Sequence, residues 1–388
     1  VSGGPVSAAY NPAMIYLLAG LGVSLIVTLL IVRSANAHGH LSSDHDLSGP
    51  QKFHSVPVPR IGGVGPVLAL LAVWALMSHG MPDAARELGM LLLCGVPVFA
   101  AGLTEDITKK VSPAARLAAV SVSALLAVWL LGATVNRTDI PGLDTMVAIP
   151  FFAGVVAVLT VAGIANSVNI VDGFNGLASM CVVIMLAALA YVAAQVGDEV
   201  ISTLALAGIG AVLGFFIWNF PAGLIFLGDG GAYFLGFFVA ELSILLLVRN
   251  PDVSPLFPLL VCIYPVFETL FSIYRRKVLR AVPPSMPDGI HLHSLIYRRI
   301  MRWAVDSRSA KALTRRNSMT SPYLWLLCML SVIPATLFWS NSLALAGFLS
   351  LFGVTYVGLY WRIVRFKSPR WLRPPSGRRN DVNREARH

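Results

Sequence analysis

The chain has 388 residues, 56% of them apolar and only 12% charged, and its 29 Lys and Arg against 19 Asp and Glu give a net charge of +10. A soluble domain carries about twice that charged fraction. A soluble enzyme, a disordered chain and a nucleic-acid-binding domain are therefore excluded, and the composition is that of an integral membrane protein.

A bilayer core of about 30 Å needs roughly 17–25 mostly apolar residues per helix. Eleven runs meet that length: 14–32, 62–78, 88–104, 117–135, 146–165, 177–195, 201–218, 232–248, 256–274, 322–339 and 342–360. None alternates with the strict period of a barrel strand, so the expected fold is an all-α membrane protein of about eleven transmembrane helices. The opening VSGGPVSAAYNP lacks the basic stretch and cleavage site of a signal peptide. Cys94, Cys181, Cys262 and Cys328 each sit in a different apolar run and read as small core hydrophobes.

Orientation follows from the placement of Lys and Arg. With the N-terminus outside, the loops after the first, third and ninth runs, together with the tail, carry 26 of the 29 basic residues. The other side keeps only Arg86, Arg137 and Arg249. The expectation is an N-terminus outside (periplasmic in a bacterium) and a cytoplasmic C-terminus. Residues 1–361 form one polytopic domain with cytoplasmic loops at about 33–62, 105–116, 166–176, 219–231 and 275–321. The basic tail 362–388 reads as a topology determinant beside anionic lipid. No internal duplication is found, which counts against an inverted-repeat transporter.

The polar residues with chemical potential gather at the cytoplasmic ends of the odd-numbered runs. The first loop holds Lys52 and Arg60 ahead of Gly62-Gly63, and the second holds Glu105-Asp106 and Lys109-Lys110. The fifth run leads into Asn166, Asn169, Asp172-Gly173 and Asn175-Gly176, and the seventh into Asn219, Phe226 and Gly228-Asp229-Gly230-Gly231. The ninth leads to a long basic loop with His291 and His293. Singly, each has a bland reading: Lys109 and Lys110 as topology markers, Gly62-Gly63 as close packing, a loop Asp as a helix cap, the histidines as surface residues. Together, five loops on one face read as one active site. Carboxylates at 105, 106, 172 and 229 are hard oxygen ligands suited to Mg²⁺, and Lys52, Arg60, Lys109 and Lys110 suit phosphates. Glycines at 228, 230 and 231 allow an anion to approach a helix start. This set points to phosphoryl transfer at the bilayer interface. Of the intramembrane acids, Glu268 is expected to line a groove or to make a structural hydrogen bond, and Glu241 to form a buried structural pair.

The Asn-x-x-Asn-x-x-Asp-Gly-x-Asn-Gly-Leu stretch at 166–177, the Phe226-Leu-Gly-Asp229-Gly-Gly stretch and the order of the five loops resemble the polyprenyl-phosphate N-acetylhexosamine-1-phosphate transferase family. The likeness runs from about Lys52 to Arg299. It implies transfer of a sugar-1-phosphate, GlcNAc-1-phosphate by family frequency, from a UDP-HexNAc to undecaprenyl phosphate. The products are undecaprenyl-diphosphate-sugar and UMP, and the pathway is O-antigen, capsule or envelope glycan synthesis at a bacterial inner membrane. Mg²⁺, or Mn²⁺ in its place, is the implied cofactor, and a homodimer is a family-level expectation.

By motif position, Asp229 resembles the metal ligand, with Asp106 beside it. Glu105, Asp106, Asp172 and Asp229 resemble the catalytic acids. Phe226 resembles the aromatic under uracil. Lys52, Arg60, Asn169, Asn175, Asn219, His291 and His293 resemble the substrate contacts. The chain departs from the pattern in its Glu-Asp pair, in Asn175 where many members have Asp, and in Ser294 after His293. The rival reading from another class is a secondary transporter of an anionic solute, which would place its acids near the bilayer midplane.

Overall fold

The computed structural model describes residues 12–42, 58–279, 291–301 and 310–365. The protein is an all-α, multi-pass membrane protein, with no sheet among the described residues. Its helices are α1 (Pro12–Ser42), α2 (Val64–Gly80), α3 (Pro82–Thr108), α4 (Pro113–Leu131), the short α5 (Leu143–Val147), α6 (Pro150–Val171), α7 (Leu177–Gln195), α8 (Glu199–Asn219) and α9 (Gly228–Arg249). There follow α10 (Leu256–Val261), α11 (Ile263–Tyr274), α12 (Leu292–Leu295), α13 (Ala310–Leu337) and α14 (Ser342–Val364), with π-helical turns at Arg275–Leu279 and Ile296–Ile300.

Each of the eleven predicted runs is helical. Nine helices among the described residues are long and apolar enough to cross a membrane, and α2, with 17 residues, is a shorter apolar helix. The ninth run is broken into α10 and α11 at Cys262. Pro265 explains the break, because it has no N–H for the carbonyl of Val261 and its ring collides with that turn.

Local signals fix the helix ends. Pro82, Pro113 and Pro150 open α3, α4 and α6, where the missing N–H costs nothing. The side chains of Ser112, Asp198 and Asn341 accept from the N3 amides of α4, α8 and α14. Several helices run further than hydropathy alone indicates. α3 extends through Glu105 and Asp106, α6 through Asn166 and Asn169, and α9 begins at Gly228 ahead of Asp229. Residues read as loop chemistry therefore stand on the last or first turns of helices.

Helix α9 is the central element, buried on all sides from Gly228 to Leu246. Its backbone is approached closely by its neighbours. A Cβ on Gly63 would lie 2.3 Å from Cα of Gly231, and one on Gly102 would lie 2.5 Å from Cα of Gly230. Gly62 and Gly63 donate their amides to the carbonyls of Phe226 and Leu227 at 3.0 and 2.8 Å. The opposite end of the bundle is tied by polar contacts of its own. Arg249 bonds Asp198 at 2.8 Å and reaches Glu87 at 3.4 Å, while Arg137 donates to the carbonyl of Asn250 at 3.1 Å.

Gly228 has a φ of +75°, and a Cβ there would fall 1.8 Å from the carbonyl oxygen of Arg60. Gly228→Ala is expected to cost more than the ~1–3 kcal/mol of a left-handed non-glycine residue, because the backbone must also part. Gly163 in α6 meets nothing within 4 Å, so Gly163→Ala should be neutral or stabilising by up to about 1 kcal/mol. Thermal unfolding in detergent should show a large loss for the first variant and none for the second.

Candidate active site

The site is assembled on the first turn of α9. That turn exposes amides with no partner in the helix, and the buried carboxylate of Asp106, on the last turns of α3, takes two of them. Its two oxygens accept from the amides of Asp229 at 2.8 Å and Gly230 at 2.9 Å. The glycine-rich helix start was expected to cradle a ligand anion. It holds the protein's own carboxylate instead, and that contact fixes where Asp229 stands.

Three further elements converge on the Asp229 side chain. Asn169 of α6 donates to Oδ1 at 3.1 Å. One turn away, Tyr233 donates to Asn166 at 3.2 Å, so Asn166 and Asn169 on one face of α6 meet Asp229 and Tyr233 on one face of α9. Arg60 lies 3.8 Å from both Asp106 and Asp229. Each such pair is worth about 4 kcal/mol at an effective dielectric of about 20, offset by the desolvation of the charges. Arg116, on the first turn of α4, forms an ion pair with Oδ2 of Asp229. The sequence reading did not select Arg116; it was counted only as a topology charge, and its place in the loop after Glu105-Asp106 was the available signal.

Asp172 caps the end of α6 within electrostatic range of Arg60 and Asp106. Its rim is partly open, but it lies deep among protein atoms. Burial pushes its carboxyl up to about 7, with Arg60 pulling the other way. Among the described residues three acids, Asp106, Asp172 and Asp229, thus stand with two guanidinium groups, and the cluster gains negative charge as Asp172 ionises. Hard oxygen donors with surplus negative charge fit Mg²⁺, and Asp229, with cations drawn to both its oxygens, is the residue that would hold it. Asp106 was expected beside it as a ligand, but its oxygens are turned to the α9 amides.

The histidine motif is joined to this cluster through the 172–174 loop. His293 stands edge-on to Phe174 with ring centroids 5.4 Å apart, and a Cβ on Gly173 would lie 3.6 Å from its Nε2. His291 stacks on His293 at 5.0 Å. Glu268 orients His291, accepting from its Nδ1 at 2.9 Å, from the amide of Leu292 at 3.0 Å and from Tyr356 at 2.6 Å. Of the two readings open for Glu268, the structural hydrogen bond is the one formed. Glu241 is buried with no hydrogen-bond partner for either oxygen among the described residues, so the expected structural pair is not found there.

The remaining predicted residues take other places. Glu105 turns to its own loop and accepts from the amide of Val111 at 2.7 Å. Asn175 is buried against α13, with its amide donating to Asn317 at 2.8 Å and its side chain to Ser318 at 3.2 Å. Asn219 clamps the neighbouring turn, accepting from the amide of Gly176 at 2.5 Å and donating to the carbonyl of Ile225 at 2.7 Å. Both asparagines hold loops together rather than facing the acids. Asn317 and Ser318 were hidden in what read as loop, because α13 starts twelve residues ahead of the apolar run at 322. Phe226 is half-buried, its amide donating to the carbonyl of Pro59 at 2.8 Å. Lys52, most of the basic tail and parts of the 33–62 and 275–321 loops lie outside the described residues.

Residues 88–247 match the family described as Glycosyl transferase family 4. The chain is 28% identical over 296 residues to a probable undecaprenyl-phosphate N-acetylglucosaminyl 1-phosphate transferase of Bacillus subtilis, covering 76% of this chain and 80% of the relative. It is 28% identical over 258 residues to the undecaprenyl-phosphate alpha-N-acetylglucosaminyl 1-phosphate transferase of Thermotoga maritima, covering 66% and 74%. A phospho-N-acetylmuramoyl-pentapeptide-transferase of Streptococcus thermophilus is 35% identical over 212 residues, covering 51% and 62%. The chain belongs to the polyprenyl-phosphate N-acetylhexosamine-1-phosphate transferase family. It is related to both branches, and members transfer a sugar-1-phosphate from a UDP-sugar to undecaprenyl phosphate.

The raised Asp172 gives this transferase a pH signature. Between about pH 4 and 7 the folded chain keeps a proton that the unfolded chain releases, so this group lowers stability as pH rises through that window. Asp172→Asn removes the effect. In metal-free buffer the variant should melt above the wild type at pH 8, with the gap shrinking at pH 5.

Proposed function

We propose that the protein transfers GlcNAc-1-phosphate from UDP-GlcNAc to undecaprenyl phosphate, giving undecaprenyl-diphosphate-GlcNAc and UMP, as the first membrane step of an exported glycan. The observation that carries this reading is the meeting of Asp229, Asn169, Arg60 and Arg116 from four elements at one end of the bundle. GlcNAc is favoured over other amino sugars because two of the relatives bear it in their names. The site is assigned to the cytoplasmic face, in an eleven-span arrangement with the N-terminus outside, on the 26 basic residues of the loops and tail on that side. The convergence of Asp106, Asp172 and Asp229 at helix ends, rather than half-way along the spans, weighs against the transporter.

Phosphoryl transfer of this kind is mainly positioning and charge neutralisation. Mg²⁺ held at Asp229 would neutralise charge on the donor diphosphate. Arg60 and Arg116 supply fixed positive charge for phosphate oxygens. Asp172 stands where a negative charge can steer or accept a proton, and its position near 7 suits exchange at neutral pH. His291, oriented by Glu268, and His293 cover the same loop and would close over the donor. The lipid phosphate oxygen attacks the phosphorus bonded to the sugar, and the bond from that phosphorus to the UMP oxygen breaks.

Purified protein given undecaprenyl phosphate, Mg²⁺ and a panel of UDP-sugars should release UMP with UDP-GlcNAc above the other donors. Asp229→Asn should lose at least about 100-fold in rate, the scale of removing a preorganised charged group, while its melting curve and elution are retained. Release from another amino sugar alone would correct the donor, and release independent of lipid would overturn the transferase reading.

A further inference from the structure

Arg116 is held in an unusual way. Its guanidinium pairs with Oδ2 of Asp229 and lies 5.8 Å over the ring of Tyr233, one turn along α9. The side chain is only 15% exposed, yet its Nε has no hydrogen-bond partner among the described residues. The contacts that place the guanidinium are the Asp229 carboxylate and the face of the Tyr233 ring. The other oxygen of that carboxylate takes Asn169 at 3.1 Å and faces Arg60 at 3.8 Å. Hard divalent cations bind carboxylate oxygen at about 2.0–2.6 Å. A guanidinium already in contact with Oδ2 blocks that approach, so the two cations compete for one atom.

We propose that Arg116 is a resident counter-cation of Asp229 that a divalent cation must displace, so that metal entry and release of the Arg116 guanidinium are one exchange. This rests on the reading of Asp229 as the metal-holding residue. The physical reason for such an arrangement is the excess of carboxylates. Among the described residues, Arg116 adds a second cation to Arg60 beside Asp106, Asp172 and Asp229, and in the absence of a metal it limits their mutual repulsion. When a divalent cation arrives, that service is redundant and like charge repels the guanidinium. The ring of Tyr233 remains beside it as a resting surface. A residue of purely structural value would behave in the opposite way, since its loss would loosen the site and weaken metal binding.

The test uses the full-length protein and Mn²⁺ alone as the probe, with no nucleotide, titrated by electron paramagnetic resonance. Arg116→Gln should bind Mn²⁺ about tenfold more tightly than the wild type, the scale of removing one like charge at contact distance, and Arg116→Lys should lie between. Equal or weaker binding by folded Arg116→Gln, with binding still lost in Asp229→Asn, would overturn the exchange alone. No Mn²⁺ binding by any form would remove both the metal reading and the exchange. A second measurement needs no substitution: labelling of Arg116 by phenylglyoxal, read by peptide mass spectrometry, should rise several-fold when Mn²⁺ is added to the wild type. Unchanged or reduced labelling in protein that binds Mn²⁺ would contradict the proposal.

Discussion

The carboxylate of Asp106 accepting from the amides of Asp229 and Gly230 is the contact on which the rest of the site depends. A helix start buried in a membrane protein must satisfy its orphan amides from within the protein. Asp106 does so from α3, and each charge-assisted bond of this kind is worth about 1.5–3 kcal/mol. Glycine permits the geometry, because Gly63, Gly102 and Gly228 let three backbone segments meet where any side chain would collide. Once α9 begins at that point, Asp229 projects to a fixed place, and Asn169, Arg60 and Arg116 reach it from α6, the first loop and α4.

This construction separates two jobs that adjacent acids might have shared. Asp106 positions, and the side chain of Asp229 is addressed, among the described residues, by the Asn169 amide and by the Arg60 and Arg116 cations. The acids stand at helix ends, and under the proposed function they would receive a divalent cation there. The histidine motif is brought over the same loop by Glu268 and Tyr356, deep in the packing of α11 and α14.

Much of this was legible in the sequence. The eleven apolar runs are largely helical, the ninth as two short helices, and the described polar motifs do gather at one end, because the length of an apolar run and the alternation of crossings constrain both. Helix ends were less legible. Polar residues such as Asn166, Asn169 and Asp229 lower hydropathy while remaining helical, so residues on ordered turns read as loop. Roles within the cluster were less legible still. Nothing in the spacing of Glu105-Asp106 says that one turns to Val111 and the other to α9, and Asn175 and Asn219 look like site amides until their partners on α13 and the adjoining turn are seen. Arg116 was missed because a single Arg at a helix start is also what the expected topology alone would require.

The most direct test of the central claim follows the donor phosphorus. Protein supplied with undecaprenyl phosphate and UDP-GlcNAc labelled at the sugar-linked phosphate should move that label into the organic phase with the sugar. The UMP should be unlabelled, and both Asp106→Asn and Asp229→Asn should abolish the movement. Label left in water as UDP while the sugar moves to lipid would contradict the account, as would label transfer that survives both substitutions.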